Sequence, residues 1–385
     1  MAKKKSFRER MTSVLTTINS DTFHIGFTNV DKWISFGNFA MNRIMSGRFD
    51  RGLLFGREYI LYGESGSGKS LMAAYLAADA QRQHNAYVVW LDIEHANDDV
   101  AGKAWLERAG VDISDDNFLY LSMASLEDIK KTISTMAVQF RDGMKEGETD
   151  LQPVVFVVDS WAAAMTGSQI ERMESGELVG DQGQKAKQTG DVVLAVNHLC
   201  SGIPIMCIGV HHVYDNQDMG GRKHKTSGGN KAIYMASGCL LLTKKELTDE
   251  NVENQEVAEH YKELSANMTA EMKKKMRGGK RTVGITAIVE NIKSRVSKPF
   301  ERIEVQIPYM TGLDPYSGLF ELLFQEGVVT SPSSGWYAYT DATGKEVKFR
   351  KSEWREHADA AMALAKEDIS TPDAKAAPVQ EEEAD

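Results

Sequence analysis

The sequence predicts an α/β fold built on a mostly parallel sheet, and three observations carry that expectation. The run Val154-Val155-Phe156-Val157-Val158 is apolar without interruption, as a strand covered on both faces of a parallel sheet must be. Other short apolar runs (Tyr59–Tyr62, Tyr87–Leu91, Ile205–Val210 and Gly238–Thr243) alternate with helical stretches at Leu71–Gln83, Leu126–Met144 and Gly183–Cys200. The first of these strands passes into its helix through a glycine-rich turn, the frame of a phosphate-binding loop.

In chain order, Phe7, Met11, Val14, Leu15 and Ile18 recur at helical spacing and predict a short helix over Phe7–Ser20. A connecting stretch dense in Asn, Asp and Gly follows, and the alternating core begins at Tyr59. A polar helical insertion, Thr248–Lys280, ends in Lys273-Lys274-Lys275, Arg277, Lys280 and Arg281. Strands resume at Thr282–Glu290 and Glu301–Ile307, separated by a loop rich in Lys and Arg. Past Asp314-Pro315 a small α+β region runs to about Ile369, with Trp336 and Trp354 as its expected core anchors. Thr371–Asp385, with Pro372, Pro378 and Glu381-Glu382-Glu383, reads as a disordered acidic tail. The expected organisation is therefore an N-terminal helix and connector (1–45), the core (46–312), a small C-terminal domain (313–369) and the tail (370–385).

At 385 residues, 42% hydrophobic and 26% charged, the composition is that of an ordinary globular protein. No apolar run is long enough to span a bilayer, and Ala2-Lys3-Lys4-Lys5 is not followed by the apolar core of a signal peptide, so a cytoplasmic location is expected. Cys200, Cys207 and Cys239 lie among apolar neighbours without metal spacing and read as small buried hydrophobes. A net charge of −10 means that any nucleic-acid contact must come from local basic loops.

Gly63-Glu64-Ser65-Gly66-Ser67-Gly68-Lys69-Ser70 fits G-x-x-x-x-G-K-[ST] at every fixed position, and the helix begins with Leu71. The glycines let backbone N–H groups wrap a phosphate chain, with the helix N-terminus behind them. Lys69 is placed to reach the β- and γ-phosphates of ATP, and the Ser70 hydroxyl to bind Mg2+. Asp159 closes the buried strand, where a carboxylate can hold the same ion; the plainer role there is a helix cap. Asp92 and Glu94 project from one strand edge, and either can activate a water molecule. His211-His212 ends the strand Ile205–Val210, where a polar side chain can sense the γ-phosphate or merely cap a turn.

The ordered set Asp92-Ile93-Glu94-His95-Ala96, Val157-Val158-Asp159-Ser160 and Ser227-Gly228-Gly229-Asn230 resembles the RecA recombinase family. Gly312-Leu313-Asp314-Pro315-Tyr316-Ser317-Gly318-Leu319, with Gly335-Trp336-Tyr337, is similar to the phage UvsX-type members, and the resemblance spans Ile34–Trp354. It implies a RecA-like P-loop ATPase core with Glu94 as the catalytic glutamate and His212 as the γ-phosphate sensor. It implies a first DNA-binding loop over Glu171–Gln182, including Arg172, and a second over Tyr214–Asn230. In the second loop Met219, Gly220, Gly221, Gly228, Gly229 and Asn230 would order on DNA, while Arg222, Lys223 and Lys225 neutralise phosphates. Lys293 and Arg295 match the cations that reach a neighbouring subunit's ATP, Tyr309 and Asp98 the adenine contacts, and Tyr234 a subunit-interface position. The N-terminal helix matches the element that docks one subunit on the next.

The implied partners are single-stranded DNA, homologous duplex DNA, further copies of the chain in a helical filament, a loading mediator and a single-strand-binding protein. Two departures stand out: the long Thr248–Lys280 insertion, read as a solvated surface helix, and a second DNA loop with Met219 in place of an aromatic at its tip. The implied function is ATP-dependent homologous pairing and strand exchange. The alternatives are a ring-forming helicase on the same core, which usually carries a separate domain ahead of it, and a regulator that has lost hydrolysis. Lys69, Ser70, Glu94 and Asp159 together argue against the latter.

Overall fold

The structure, a computed structural model, describes residues 30–176, 183–215, 224–226, 230–269, 271–272 and 280–366, together with Ser6 and Glu9. The expected N-terminal helix and the acidic tail lie outside the described residues.

The stretch expected to be a connector is instead structured. β1 (Trp33–Ile34) pairs with β2 (Leu53–Leu54) around α1 (Phe39–Ser46), whose residues beyond Phe39 are all buried. Asn38 caps α1 by accepting the Met41 N–H, and Gly47 ends it with φ 78°. The helix was hidden because Asn42 and Arg43 lie on its buried face. Asn42 donates to the Phe49 carbonyl, and Arg43 pairs with Glu326 at 3.0 Å.

Six strands form the parallel core: β3 (Glu58–Gly63), β4 (Tyr87–Asp92), β5 (Phe118–Ser122), β6 (Val154–Asp159), β7 (Ile205–Asp215) and β9 (Gly238–Thr248). They lie in the order β9-β3-β7-β6-β4-β5, and β10 (Thr282–Ser294) and β11 (Arg302–Pro308) extend the sheet antiparallel beyond β9. The short β8 (His224–Thr226) pairs antiparallel with the end of β7. Alternating residues of each strand supply two apolar layers. Leu61, Trp90, Val157 and Ile208 meet α2 (Lys69–His84) on one face. Val89, Phe156, Val158 and Cys207 meet α4 (Leu126–Glu146) and α6 (Gln184–Cys200) on the other, each such side chain contributing about 1.5–3 kcal/mol by leaving water. The remaining core helices are α3 (Val100–Arg108), α5 (Gly167–Ser175) and α7 (Asn230–Met235). All three cysteines are buried and free, as expected.

Among its described residues the insertion is helical only in part. β9 runs through to Thr248, and the described helix is α8 (Gln255–Ala266); residues 270 and 273–279 lie outside the described set. The helix is also not merely a solvated surface element: Asn254 and Gln255 donate to Asp314 and to the Ser352 carbonyl, tying it to the C-terminal region.

That region comprises α9 (Leu319–Gln325), β12 (Thr330–Ser333), β13 (Trp336–Thr340), β14 (Glu346–Phe349) and α10 (Trp354–Leu364). Its core is Leu319, Phe320, Leu323 and Phe349, with Trp354 packed at the edge. Trp336 is not an anchor: it is exposed, with the Arg350 guanidinium 4.0 Å from its ring. The side chain of Asn38 holds the region to the core through the Asp314 and Ser317 carbonyls.

Candidate active site

The parallel register sets the site at the C-terminal ends of the strands. Asp92 lies beside Asp159, and Gly63 beside His212 on one side and Leu242 on the other. A Cβ on Gly63 would come within 1.9 Å of the Leu242 carbonyl oxygen, so the strand that launches the phosphate loop needs a glycine at its last position.

From Gly63 the chain turns through Gly66 (φ 69°) and Gly68 (φ 92°) into α2; a Cβ on Gly68 would meet Ile307 and Ile285 at 3.5 and 3.7 Å. Lys69 is buried and donates to the Glu64 carbonyl at 2.7 Å. Burial pulls its pKa below the ordinary lysine value, against the pull of Asp159 and Glu94. The hydroxyl of Ser67 is buried with no partner, an unspent donor inside the loop. A second lysine, Lys244 on β9, donates to the Ser65 carbonyl at 2.7 Å, and no sequence signal pointed to it.

Behind the loop the Ser70 hydroxyl hydrogen-bonds Asp159, whose carboxyl burial pushes up to about 6. Asp159 does not cap a helix: its strand ends in a turn at Ser160. Among the described residues no group of three or more His, Cys, Asp or Glu side chains is arranged for a metal. Two oxygens, from Ser70 and Asp159, suit Mg2+, which keeps several waters and takes further oxygens from a phosphate chain.

Asp92 and Glu94 have separate fates. Asp92 is fully buried; it accepts the Glu94 and Asn97 N–H groups and the Tyr120 hydroxyl, and so shapes the turn. Glu94 is exposed at the strand edge. Its Oε1 accepts from the Ser160 hydroxyl and from His212 Nε2 at 2.7 Å. Accepting that bond requires His212 to carry its proton on Nε2. The strand does not stop at Val210: it runs to Asp215 and pairs with β8, so His212 joins Glu94 to the root of the predicted second DNA loop. His211 points into the core, buried and with both ring nitrogens unpartnered.

Of the remaining candidates Asp98 and Tyr309 fall around this centre, whereas Lys293, Arg295 and Tyr234 lie at the opposite end of the sheet, where Lys293 pairs with Cys239 at the start of β9. Asp98 is exposed in the turn after Glu94, and Tyr309 is exposed one residue past β11, the strand whose Ile307 side chain lies beside the Gly68 position. Lys293 lies on β10, not in a loop, and its ammonium donates to the Ile233 and Tyr234 carbonyls. Arg295 and Tyr234 are exposed on that side. Arg172 is on the helix α5, its guanidinium folded back on Ser168, so the expected first loop begins after Ser175. Met219, Gly220, Gly221, Arg222, Lys223, Gly228 and Gly229 lie outside the described residues, while Lys225 is on β8 and Asn230 opens α7. A separate cavity of about 640 Å³ between α8 and the C-terminal region is lined by Glu253, Asp314, Glu321, Lys351 and Arg355.

A family described as AAA domain matches residues 48–200, the stretch from just ahead of β2 to the end of α6. The chain is 25% identical over 322 residues to the recombination and repair protein of Enterobacteria phage T4, covering 83% of this chain and 69% of that protein. It is 24% identical to Protein RecA of Symbiobacterium thermophilum, over 81% of this chain and 76% of the relative, and 24% identical to Protein RecA of Thermus thermophilus, over 77% and 74%. The resemblance carried by the ordered motifs thus extends through most of the chain.

Proposed function

From a RecA-like P-loop core similar over most of its length to recombination proteins, we propose an ATP-dependent DNA recombinase that assembles on single-stranded DNA and drives homologous pairing and strand exchange. The observation that carries this reading is the position of His212: it bonds the candidate catalytic glutamate and begins the hairpin predicted to hold DNA. A hydrolytic centre and a polymer-binding loop then share one strand.

In this reading the loop from Gly63 to Leu71 holds the triphosphate of ATP through its backbone N–H groups, and Lys69 leaves the Glu64 carbonyl for the phosphate oxygens. Ser70 and Asp159 hold Mg2+, which neutralises charge on the phosphates when bound. Glu94 orients a water molecule and takes its proton as the oxygen adds to the γ-phosphorus and ADP leaves. His212 and Ser160 fix the orientation of Glu94, so loss of the γ-phosphate is felt at the root of the DNA hairpin. Tyr309 and Asp98 flank the base. Lys293 and Arg295 complete the site of the adjacent copy, which makes assembly depend on nucleotide.

The DNA contacts are assigned to residues 177–182 with Arg172, and to the 214–230 segment. No described helix is long and apolar enough to cross a membrane, and we place the activity in the cytoplasm, in a bacterial host if the chain is phage-encoded. A loading mediator and a single-strand-binding protein complete the proposed set of partners. The relatives' names give no support to a ring helicase.

ATP hydrolysis measured with and without single-stranded DNA across a salt series tests this reading. Stimulation by DNA that fades as salt rises is expected, since phosphate contacts release counterions. Hydrolysis indifferent to DNA at every salt concentration overturns it.

A further inference from the structure

Strand β9 outruns the neighbour on which the phosphate loop is built. β3 ends at Gly63, whose register partner on β9 is Leu242, while β9 continues to Thr248. Lys244, two residues beyond Leu242, therefore lies on the same face of β9 and about 7 Å past the end of β3. Leu242 belongs to the apolar layer that meets α2, so this is the face from which the phosphate loop rises.

From there the Lys244 side chain reaches the tip of the loop. Its ammonium donates to the Ser65 carbonyl at 2.7 Å, and a Cβ on Gly66 would lie 2.6 Å from that nitrogen, so glycine at this position makes room for it. Lys69 holds the preceding carbonyl, that of Glu64, also at 2.7 Å. Lys69 is buried and comes from α2; Lys244 is exposed and comes from β9. The fold thus places two ammonium groups on consecutive carbonyls of one turn. They repel each other, and Lys244 is among the groups that press the Lys69 pKa down. Like charges gathered this closely cost free energy in the empty protein, and an anion in the loop turns that cost into attraction.

The two lysines differ in what they can do next. The Glu64 carbonyl also accepts the Ser67 N–H, at 3.3 Å, and keeps that partner when Lys69 leaves for a phosphate. The Ser65 carbonyl belongs to the peptide that ends in the Gly66 N–H. In a planar trans peptide that N–H points opposite to the carbonyl, so an ammonium on the oxygen aims the Gly66 N–H away from β9. Gly66, with φ 69°, leaves the peptide free to turn over at little cost, which would offer the phosphates a carbonyl where they need a donor.

We propose that Lys244 is a positioning residue of the nucleotide site, holding the Ser65 carbonyl so that the Gly66 N–H stays turned toward the phosphate chain. The inference rests on the reading that residues 63–71 hold the triphosphate of ATP. Lys69 moves to the phosphates on binding, whereas Lys244 stays on its carbonyl and keeps the turn in one form.

Titration of the full-length protein with a fluorescent ATP analogue and Mg2+, beside steady-state hydrolysis, tests it. Lys244→Met keeps most of the apolar stem and removes the donor and the charge. Its dissociation constant and KM should rise about tenfold, the scale of one charge-assisted hydrogen bond. Its kcat at saturating ATP should stay within about twofold of the parent, because the bond is the same in ground and transition states. Lys244→Arg still donates to the carbonyl and should bring the dissociation constant back to within about threefold of the parent. Unchanged affinity in Lys244→Met overturns the proposal, and so does a loss that falls on kcat alone. A loss in Lys244→Arg as large as in Lys244→Met, or a melting temperature that falls in step with affinity, assigns Lys244 to the stability of the fold and overturns it as well. If the parent itself does not bind the analogue, the underlying reading of residues 63–71 fails, whatever Lys244 does.

Discussion

In the proposed mechanism Lys69 holds the phosphates and Glu94 activates the water, so their removal should separate binding from hydrolysis. Lys69→Ala deletes the cation that faces the phosphates, and both nucleotide binding and hydrolysis should collapse. Glu94→Gln keeps the shape and can still accept from Ser160 and His212, but it cannot take a proton. Nucleotide affinity should persist while turnover falls about 10²–10⁴-fold, as a filter-binding assay beside a phosphate-release assay will show. His211 gives a prediction of another kind. Burial, aided by His212 and Lys185, pushes its pKa down to about 3. The folded protein excludes a proton that the unfolded chain takes up near pH 6.5, so stability falls as the pH drops from there towards 3, by up to about 1.4 kcal/mol per unit. The difference in urea midpoint between the parent and His211→Phe should follow that slope as the pH drops from about 6.5 to 5. Glu58, buried with both carboxylate oxygens unpartnered and its pKa raised well above the usual range, works in the opposite sense, costing stability as pH rises. The variant difference isolates the histidine.

At the scale of elements, β7 is wall and lever together. Its Gly209 leaves room for Trp161, whose indole nitrogen would lie 2.2 Å from an added Cβ. Gly209→Ala should cost about 1–3 kcal/mol in urea unfolding by overpacking a filled site. His212→Ala, three residues on, should leave folding intact and uncouple the hairpin. Basal hydrolysis measured without DNA should change less than the stimulation DNA adds; an equal loss of both would make His212 a purely catalytic support. Which of these elements could be read beforehand follows from their physics. The phosphate loop was legible because its spacing is a backbone requirement, and β6 because a doubly covered strand tolerates no polar residue. Helix α1 was not, since its polar Asn42 and Arg43 face inward and find partners 7 and 283 residues away. Trp336 was misjudged because size predicts burial, whereas a guanidinium covers this ring. From the residues alone Asp92 and Glu94 were a tie; only packing reveals that the oxygens of Asp92 are already occupied.

Over the whole molecule the charge works against the proposed partner. A net −10 repels a nucleic acid at long range, so binding has to be won at short range by the basic loops. Deleting Thr371–Asp385 removes part of that repulsion, and DNA affinity measured by fluorescence anisotropy should rise most at low salt. A truncated protein with unchanged affinity at every salt concentration would leave the tail without this role.

The strand order has one more consequence, and it concerns time. β3, which launches the phosphate loop, pairs with β7 and β9, neither of which is its neighbour in sequence. During synthesis the nucleotide-binding turn leaves the ribosome roughly 140 residues before β7 is made and later still before β9 supplies the Leu242 carbonyl beside Gly63. Lys69, Glu94, Asp159 and His212 come from four separate crossings of the sheet. A nascent chain therefore passes through more than half of its translation as an incomplete enzyme, until β7 and then β9 arrive on either side of β3 and complete the site.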